Sequence, residues 1–577
     1  MKALFAAAAA LAGFVALAAA PAPAPQYDVL IRHGTIYDGS GTAPFTGDVA
    51  IKGDRIVYVG PHANGTARRT IEAQGRAVAP GFVNMLSWAN ESLQVDGRGQ
   101  SDLRQGVTLE VMGEGNSMGP FTEKMKRLQE SRETDIKYKV DWTTLGQFFE
   151  KLEKQGIAPN VTSFIGAETV RVHELGEKNV APTPQQLAQM QRLVREAMEE
   201  GAMGVASALI YSPGTYAKTP ELIALAKQAA DCGGIYISHM RNEGNHVLDA
   251  VDELVEISRK SGAPAEIYHL KVAGRPNWDK LPKVIAKIEA ARAGGDRVTA
   301  NMYVYEAGAT GLDAAMPPWV QDGGLEAWIA RLKDPAVRKR VVAEMRDAKT
   351  KWDNLYALAG PQGTLMLSFK NEKLKPLTGK RLSEIAAMRH ESPEDTAIDL
   401  VIEDGSRVGV AYFLMSEDNI KKEIALPYVS FGSDEAAQAP EGVFLKSNSH
   451  PRAYGNVARL LGKYVRDEKV IPLEEAIRKL SAQPAANLSL KGRGMLKAGN
   501  YADVVVFDPK TIQDHATYDH SQVFATGVSE VFVNGVEALK NGEPTGAHSG
   551  RFVRGRAWKG WPDGGCRQSA ADWRWAK

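Results

Sequence analysis

Two histidines and two carboxylates stand where a fold can bring them together. His239 closes the apolar run IYISH and His269 closes EIYH. Polar or cationic residues follow each, MRNEG after the first and LKVAG after the second. Such runs read as buried strands, and barrels collect reactive side chains at the C-terminal ends of their strands. A lone histidine there is most simply a hydrogen-bonded core residue. Two at equivalent ends of neighbouring strands face one mouth, and neutral imidazole ligates Zn²⁺ at about 2.0–2.1 Å. Glu114 follows VTLEVMG between Gly113 and Gly115. Flanking glycines let backbone approach a ligand closely, so Glu114 is open to two readings, a metal ligand or a plain turn residue. Asp434 ends YVSFGSD. Alone it would cap the next helix. Opposite a metal it would hydrogen-bond an activated water and accept its proton.

The elements that must position these residues alternate. VTSFIGA (161–167) precedes a helical pattern at 183–201, and GVASALI (204–210) one at 219–234. IYISHM (235–240) precedes a helix at about 245–261, and AEIYHLKV (265–272) one at 281–295; VTANMYVY (298–305) follows. Repeated strand-then-helix units imply parallel strands with crossover helices, enough here to close a (β/α)8 TIM-like barrel over residues 81–494. The stretch at about 320–410 is charged and rich in helix formers, with few strand runs. It is expected as a helical insertion before the last barrel strand, ALPYVSFGSD. Short strands with Gly/Asp turns occupy 26–80 and return at 495–556. They predict a small composite β-sandwich built from both termini. A Trp-rich tail covers 557–577.

The chain has 577 residues, 44% hydrophobic and 24% charged, with a formal net charge of +1. That is globular composition, and it gives no support to a nucleic-acid or anionic-membrane partner. The start, MKALFAAAAALAGFVALAAAPAPAP, has a basic residue, an apolar run and a small-residue cleavage pattern. It reads as a signal peptide over residues 1–20, cleaved within about 20–25. The mature protein is then exported, most simply to the periplasm, with secretion to the medium open. Two cysteines, Cys232 and Cys566, exclude a Cys-rich zinc motif and leave a bridge between them open.

Taken in order, RHGTIYDGSG, APGFVN, RQGVT, HMRNEG (239–244), H-x-K at His269–Lys271, MYVYEAGATGL, GSDE, HPRAYGNVARLLGKYVR and GRGMLKAGNYADVVVFDP resemble the N-acyl-D-amino-acid deacylases (D-aminoacylases) of the amidohydrolase superfamily. The match runs from about 27 to 556. The resemblance implies a barrel with a composite β-sandwich, bound zinc and hydrolysis of small N-acylated D-amino acids. By motif it makes His239 and His269 metal ligands and Asp434 the general acid/base. It places Lys271, Tyr303 and Arg452 on the substrate, Arg452 at its carboxylate, where a planar guanidinium meets both oxygens.

Two departures change the metal site. Amidohydrolases carry H-x-H after PGF; here GFVNMLSWAN puts Leu86 and Trp88 at those places, and neither side chain ligates zinc. The family's Cys ligand lies in a GNCG-like turn; here the turn is GEG and Glu114 falls on that position. A carboxylate can replace the thiolate at about 2.0–2.2 Å and favours harder ions, so Mn²⁺ or Fe²⁺ joins Zn²⁺. The expected site is one ion on Glu114, His239 and His269. Alternatives remain: an amidohydrolase acting on a dipeptide, cyclic amide or carbamoyl substrate, or a degenerate barrel that binds without catalysis.

Overall fold

The structure, a computed structural model, describes residues 26–567. The expected signal peptide and the last two tryptophans, Trp573 and Trp575, lie outside the described residues.

Eight parallel strands form the barrel. In chain order they are β1 (Phe82–Asn84), β2 (Val107–Met112), β3 (Asn160–Ser163, continued by Ile165–Gly166) and β4 (Gly204–Ala208). Then come β5 (Ile235–His239), β6 (Ala265–Ile267), β7 (Val298–Met302) and β8 (Val429–Phe431). Each pairs in parallel with the next, β3 through its first half with β2 and through its second with β4. The ring closes between β8 and β1, where the Met85 N–H donates to Phe431 O at 3.1 Å and the Asp434 N–H to Leu86 O at 2.8 Å. β2, β5 and β6 are buried along their whole length, which is why they read as apolar runs rather than alternating strands.

The crossover helices start and stop where their sequences dictate. Pro184–Glu200 opens with a capping box: the Thr183 hydroxyl accepts from the Gln186 N–H, and the Gln186 side chain accepts from the Thr183 N–H. Pro184 occupies its first turn, and it ends at Gly201. Thr219–Asp231, Val247–Ser261 and Leu281–Ala293 follow β4, β5 and β6.

Two strand ends fall earlier than the sequence suggests. β6 stops at Ile267, so His269 lies two residues beyond it with φ +33°. β8 stops at Phe431, and Asp434 follows three residues later with φ +53°. Both side chains are therefore aimed by turns. Between β7 and β8 the chain makes an excursion that contains more strand than its composition suggests. Ala307–Gly311, Gly409–Phe413 and Thr364–Ser368 form an antiparallel sheet with Gly409–Phe413 at its centre. Helices from Leu325 to Asp404 complete it.

The two ends of the chain share one nine-stranded sheet. Val504–Phe507 runs antiparallel to Ala77–Pro80 and joins the halves. The far edge curls back, with the Ile56 N–H donating to Asn500 O and the Ala502 N–H to Asp54 O. Val49, Ile51 and Ile56 thereby share a core with Val504, Val506 and Phe532. Residues 550–567 run past the N-terminal ends of β3 to β5, where the Val553 N–H donates to Val161 O and the Arg567 N–H to Asp231 O. A Cys232–Cys566 disulfide ties that segment down. Among the described residues no helix is long and apolar enough to cross a membrane.

Candidate metal centre

Glu114, His239 and His269 meet at the C-terminal mouth of the barrel. One ligand atom from each lies within 4.8 Å of the others, and all three residues are buried. Glu114 Oε1 is 3.3 Å from His239 Nδ1 and 3.0 Å from His269 Nε2. Ligands about 2.0–2.2 Å from a common tetrahedral ion stand apart by such spacings. The turn that delivers Glu114 depends on its glycines. Gly113 and Gly115 have φ of +102° and +66°, and a Cβ on Gly115 would stand 2.7 Å from the Ala208 Cβ.

Glu243, four residues after His239, completes the cluster. Its Oε1 lies 3.1 Å from His269 Nδ1 and accepts from Lys271 Nζ at 2.8 Å, while Oε2 lies 3.7 Å from His239 Nε2. A carboxylate behind the outer nitrogen of a ligating histidine fixes ring orientation and raises basicity. Within HMRNEG the sequence alone marks no role for Glu243. A glutamate four residues past a strand-end histidine is the only signal that could have found it.

The electrostatics suit a cation. Burial pushes the Glu114 carboxyl up, but the charge of His269 and hydrogen bonds from both histidines hold it well below the usual carboxylate range. Burial also opposes ionisation of Glu243, and Lys271 with the two histidines more than offsets it. His269 is pushed up to about 9: burial and Lys271 oppose its charge, and Glu243 and Glu114 outweigh them. The two carboxylates thus draw positive charge onto a ring that must be neutral to ligate, and a divalent ion would supply that charge instead. The donor set, its spacing and its charge fit a metal.

Asp434 faces this cluster. Its side chain is 11% exposed. Oδ1 accepts from Trp88 Nε1 at 3.0 Å, and Oδ2 lies 2.9 Å from Arg452 Nη2. Burial raises its pKa, Arg452 opposes the rise and Glu114 adds to it. Such a group can take and return a proton.

The three residues assigned to substrate by resemblance are also here. Arg452 opens the helix Arg452–Arg459, and its guanidinium lies 4.2 Å from the centre of the Tyr303 ring. The same ring lies 5.5 Å from Lys271 Nζ. Arg452 is 1% exposed, and its Nε and Nη1 have no hydrogen-bond partner among the described residues. Lys271 is drawn deeper, with Nζ 2.6 Å from His269 Nδ1 as well as on Glu243. Leu86 is buried and Trp88 is 38% exposed at the mouth.

The amidohydrolase family matches residues 69–538. The D-aminoacylase of Alcaligenes xylosoxydans xylosoxydans is 32% identical over 533 residues, covering 91% of this chain and 97% of that protein. A solved D-aminoacylase with a binuclear metal centre, activated by one metal and attenuated by a second, superposes with a TM-score of 0.76 at 29% identity. That match covers 92% of this chain and 100% of the other. The N-acyl-D-glutamate deacylase of Bordetella bronchiseptica, solved with zinc and a phosphonate mimic of the tetrahedral intermediate, gives a TM-score of 0.74 at 27% identity. It covers 92% of this chain and 99% of the other.

Proposed function

We propose that this chain, which belongs to the amidohydrolase family, hydrolyses N-acyl-D-amino acids to a carboxylate and a free D-amino acid. The observation that carries this reading is the pairing of two sites across Asp434. On one side is the Glu114, His239 and His269 cluster. On the other is a buried guanidinium, Arg452, with Nε and Nη1 unpartnered among the described residues. Donors left unmade on a buried charged group cost more than on a neutral one, and a substrate α-carboxylate would supply acceptors. An N-acyl amino acid carries its amide carbonyl and its carboxylate on neighbouring atoms, so it can reach both sites at once.

One divalent ion, Zn²⁺ or a harder ion such as Mn²⁺ or Fe²⁺, would be held by Glu114, His239 and His269. When bound it supplies Lewis acidity and lowers the pKa of a water toward about 7. Glu243 stands 3.1 Å from the outer nitrogen of His269 and 3.7 Å from that of His239. Asp434 accepts the proton of the attacking water and delivers it to the departing amine nitrogen. Arg452 and Tyr303 orient the carboxylate end, with Lys271 also beside the Tyr303 ring. The leader composition supports an exported enzyme, periplasmic by preference. A disulfide between Cys232 and Cys566 is consistent with an oxidising compartment.

The test is amine release by the purified mature protein from matched N-acetyl-D- and N-acetyl-L-amino acids, with added metal or chelator. Metal-dependent release from the D series alone is expected. Release from dipeptides or cyclic amides, with none from either N-acetyl series, would overturn the substrate assignment.

A further inference from the structure

The residues that replace H-x-H do more than remove ligands. Beyond β1 the chain continues alongside the segment that follows β8. The Asp434 N–H donates to Leu86 O at 2.8 Å and the Trp88 N–H to Glu435 O at 2.9 Å, with Ser87 and Glu435 bridged in parallel. This register places Leu86 and Trp88 beside Asp434. Leu86 fills its place with a fully buried aliphatic side chain. Trp88 turns its indole N–H to Asp434 Oδ1 at 3.0 Å. An indole offers a donor and no lone pair for a metal.

Asp434 is held from three sides. Its backbone has φ +53°, in the left-handed region that Asp tolerates better than most non-glycine residues. Leu86 O holds its N–H, and Arg452 Nη2 spans its carbonyl at 2.7 Å and Oδ2 at 2.9 Å. Without Trp88, Oδ1 would have no protein donor among the described residues, and the carboxylate would be held at Oδ2 alone, by Arg452. We infer that Trp88 is a positioning residue: its N–H fixes the plane of the Asp434 carboxylate, a task done without a second ion, while Leu86 and Trp88 together occupy the ground a second ion would need. The enzyme is thus mononuclear and its rate is indifferent to excess metal, unlike the binuclear relative attenuated by a second metal. This rests on Asp434 acting as acid/base in the proposed reaction.

The experiment compares wild type with Trp88→Phe, which keeps the ring and removes the N–H. Steady-state rates on an N-acetyl-D-amino acid, zinc content after equilibrium dialysis and thermal midpoint are read together, and wild-type rate is followed as free Zn²⁺ is raised past saturation. Expected are a loss of about tenfold or more in kcat, the size of one missing charge-assisted bond, with KM within about twofold. Zinc should stay at one ion per chain in both proteins, with unchanged midpoints and a flat wild-type rate in excess zinc. Wild-type kcat in the variant, a loss confined to KM, or a loss that follows zinc content or midpoint would overturn the positioning role. A second bound ion with falling wild-type rate would overturn the mononuclear claim. A wild type inactive on every N-acyl-D-amino acid would instead mark failure of the proposed function.

Discussion

Both histidines turn their outer nitrogens to one carboxylate, His269 Nδ1 at 3.1 Å from Glu243 Oε1 and His239 Nε2 at 3.7 Å from Oε2. Glu243 therefore favours the orientation in which Nε2 of His269 faces Glu114, and adds negative charge beside His239. Glu243→Gln keeps the shape and an acceptor for Lys271 but removes the charge. Zinc affinity, measured by competition with a chromophoric chelator, is expected to fall about 10–100-fold with the thermal midpoint preserved. Unchanged affinity would remove Glu243 from the site. At this scale the sequence was informative where residue type and strand ends coincide, as for His239, and where glycines bracket a carboxylate, as for Glu114. Glu243 escaped because an acid in a loop after a strand looks like any solvated charge until the fold buries it at 4% exposure.

The elements act mainly through their ends. His269 and Asp434 are aimed by turns with φ of +33° and +53°, which no periodicity reveals. Glu114 is aimed by the Gly113–Gly115 turn, and here a contrast is available. Gly405 also has positive φ, +64°, but a Cβ there meets nothing within 4 Å. Gly405→Ala should cost only about 1–2 kcal/mol of left-handed backbone strain and leave activity intact. Gly115→Ala adds contacts of 2.7 Å to the Ala208 Cβ and 2.8 Å to Glu168 Oε2. It should lower zinc content and reduce kcat/KM more than about tenfold; equal behaviour of the two variants in both assays would refute the role given to the turn. The barrel strands and their helices were legible because buried runs and capped amphipathic segments alternate. The three-stranded sheet of the excursion was not: AGATG, TLMLS and GVAYF are only five residues each and lie far apart among helical segments, and AGATG has little β-propensity of its own.

Over the whole molecule, two long-range ties set the frame. The antiparallel pairing of Ala77–Pro80 with Val504–Phe507 brings the ends of the chain into one sheet, and the matching strand patterns at both ends announce it. The Cys232–Cys566 link spans 334 residues, and two isolated cysteines in a sequence cannot declare that they meet. The barrel between these ties converges Glu114, His239 and His269, at or just beyond the ends of three different strands, on one point. The central claim is that a single ion at that point drives amide hydrolysis. The most direct measurement strips the mature protein with chelator, titrates Zn²⁺ back, and follows bound ion and amine release from an N-acetyl-D-amino acid together. The rate should rise in proportion to bound ion and level at one per chain. Full rate in metal-free protein, or a rate still climbing to two ions per chain, would contradict it.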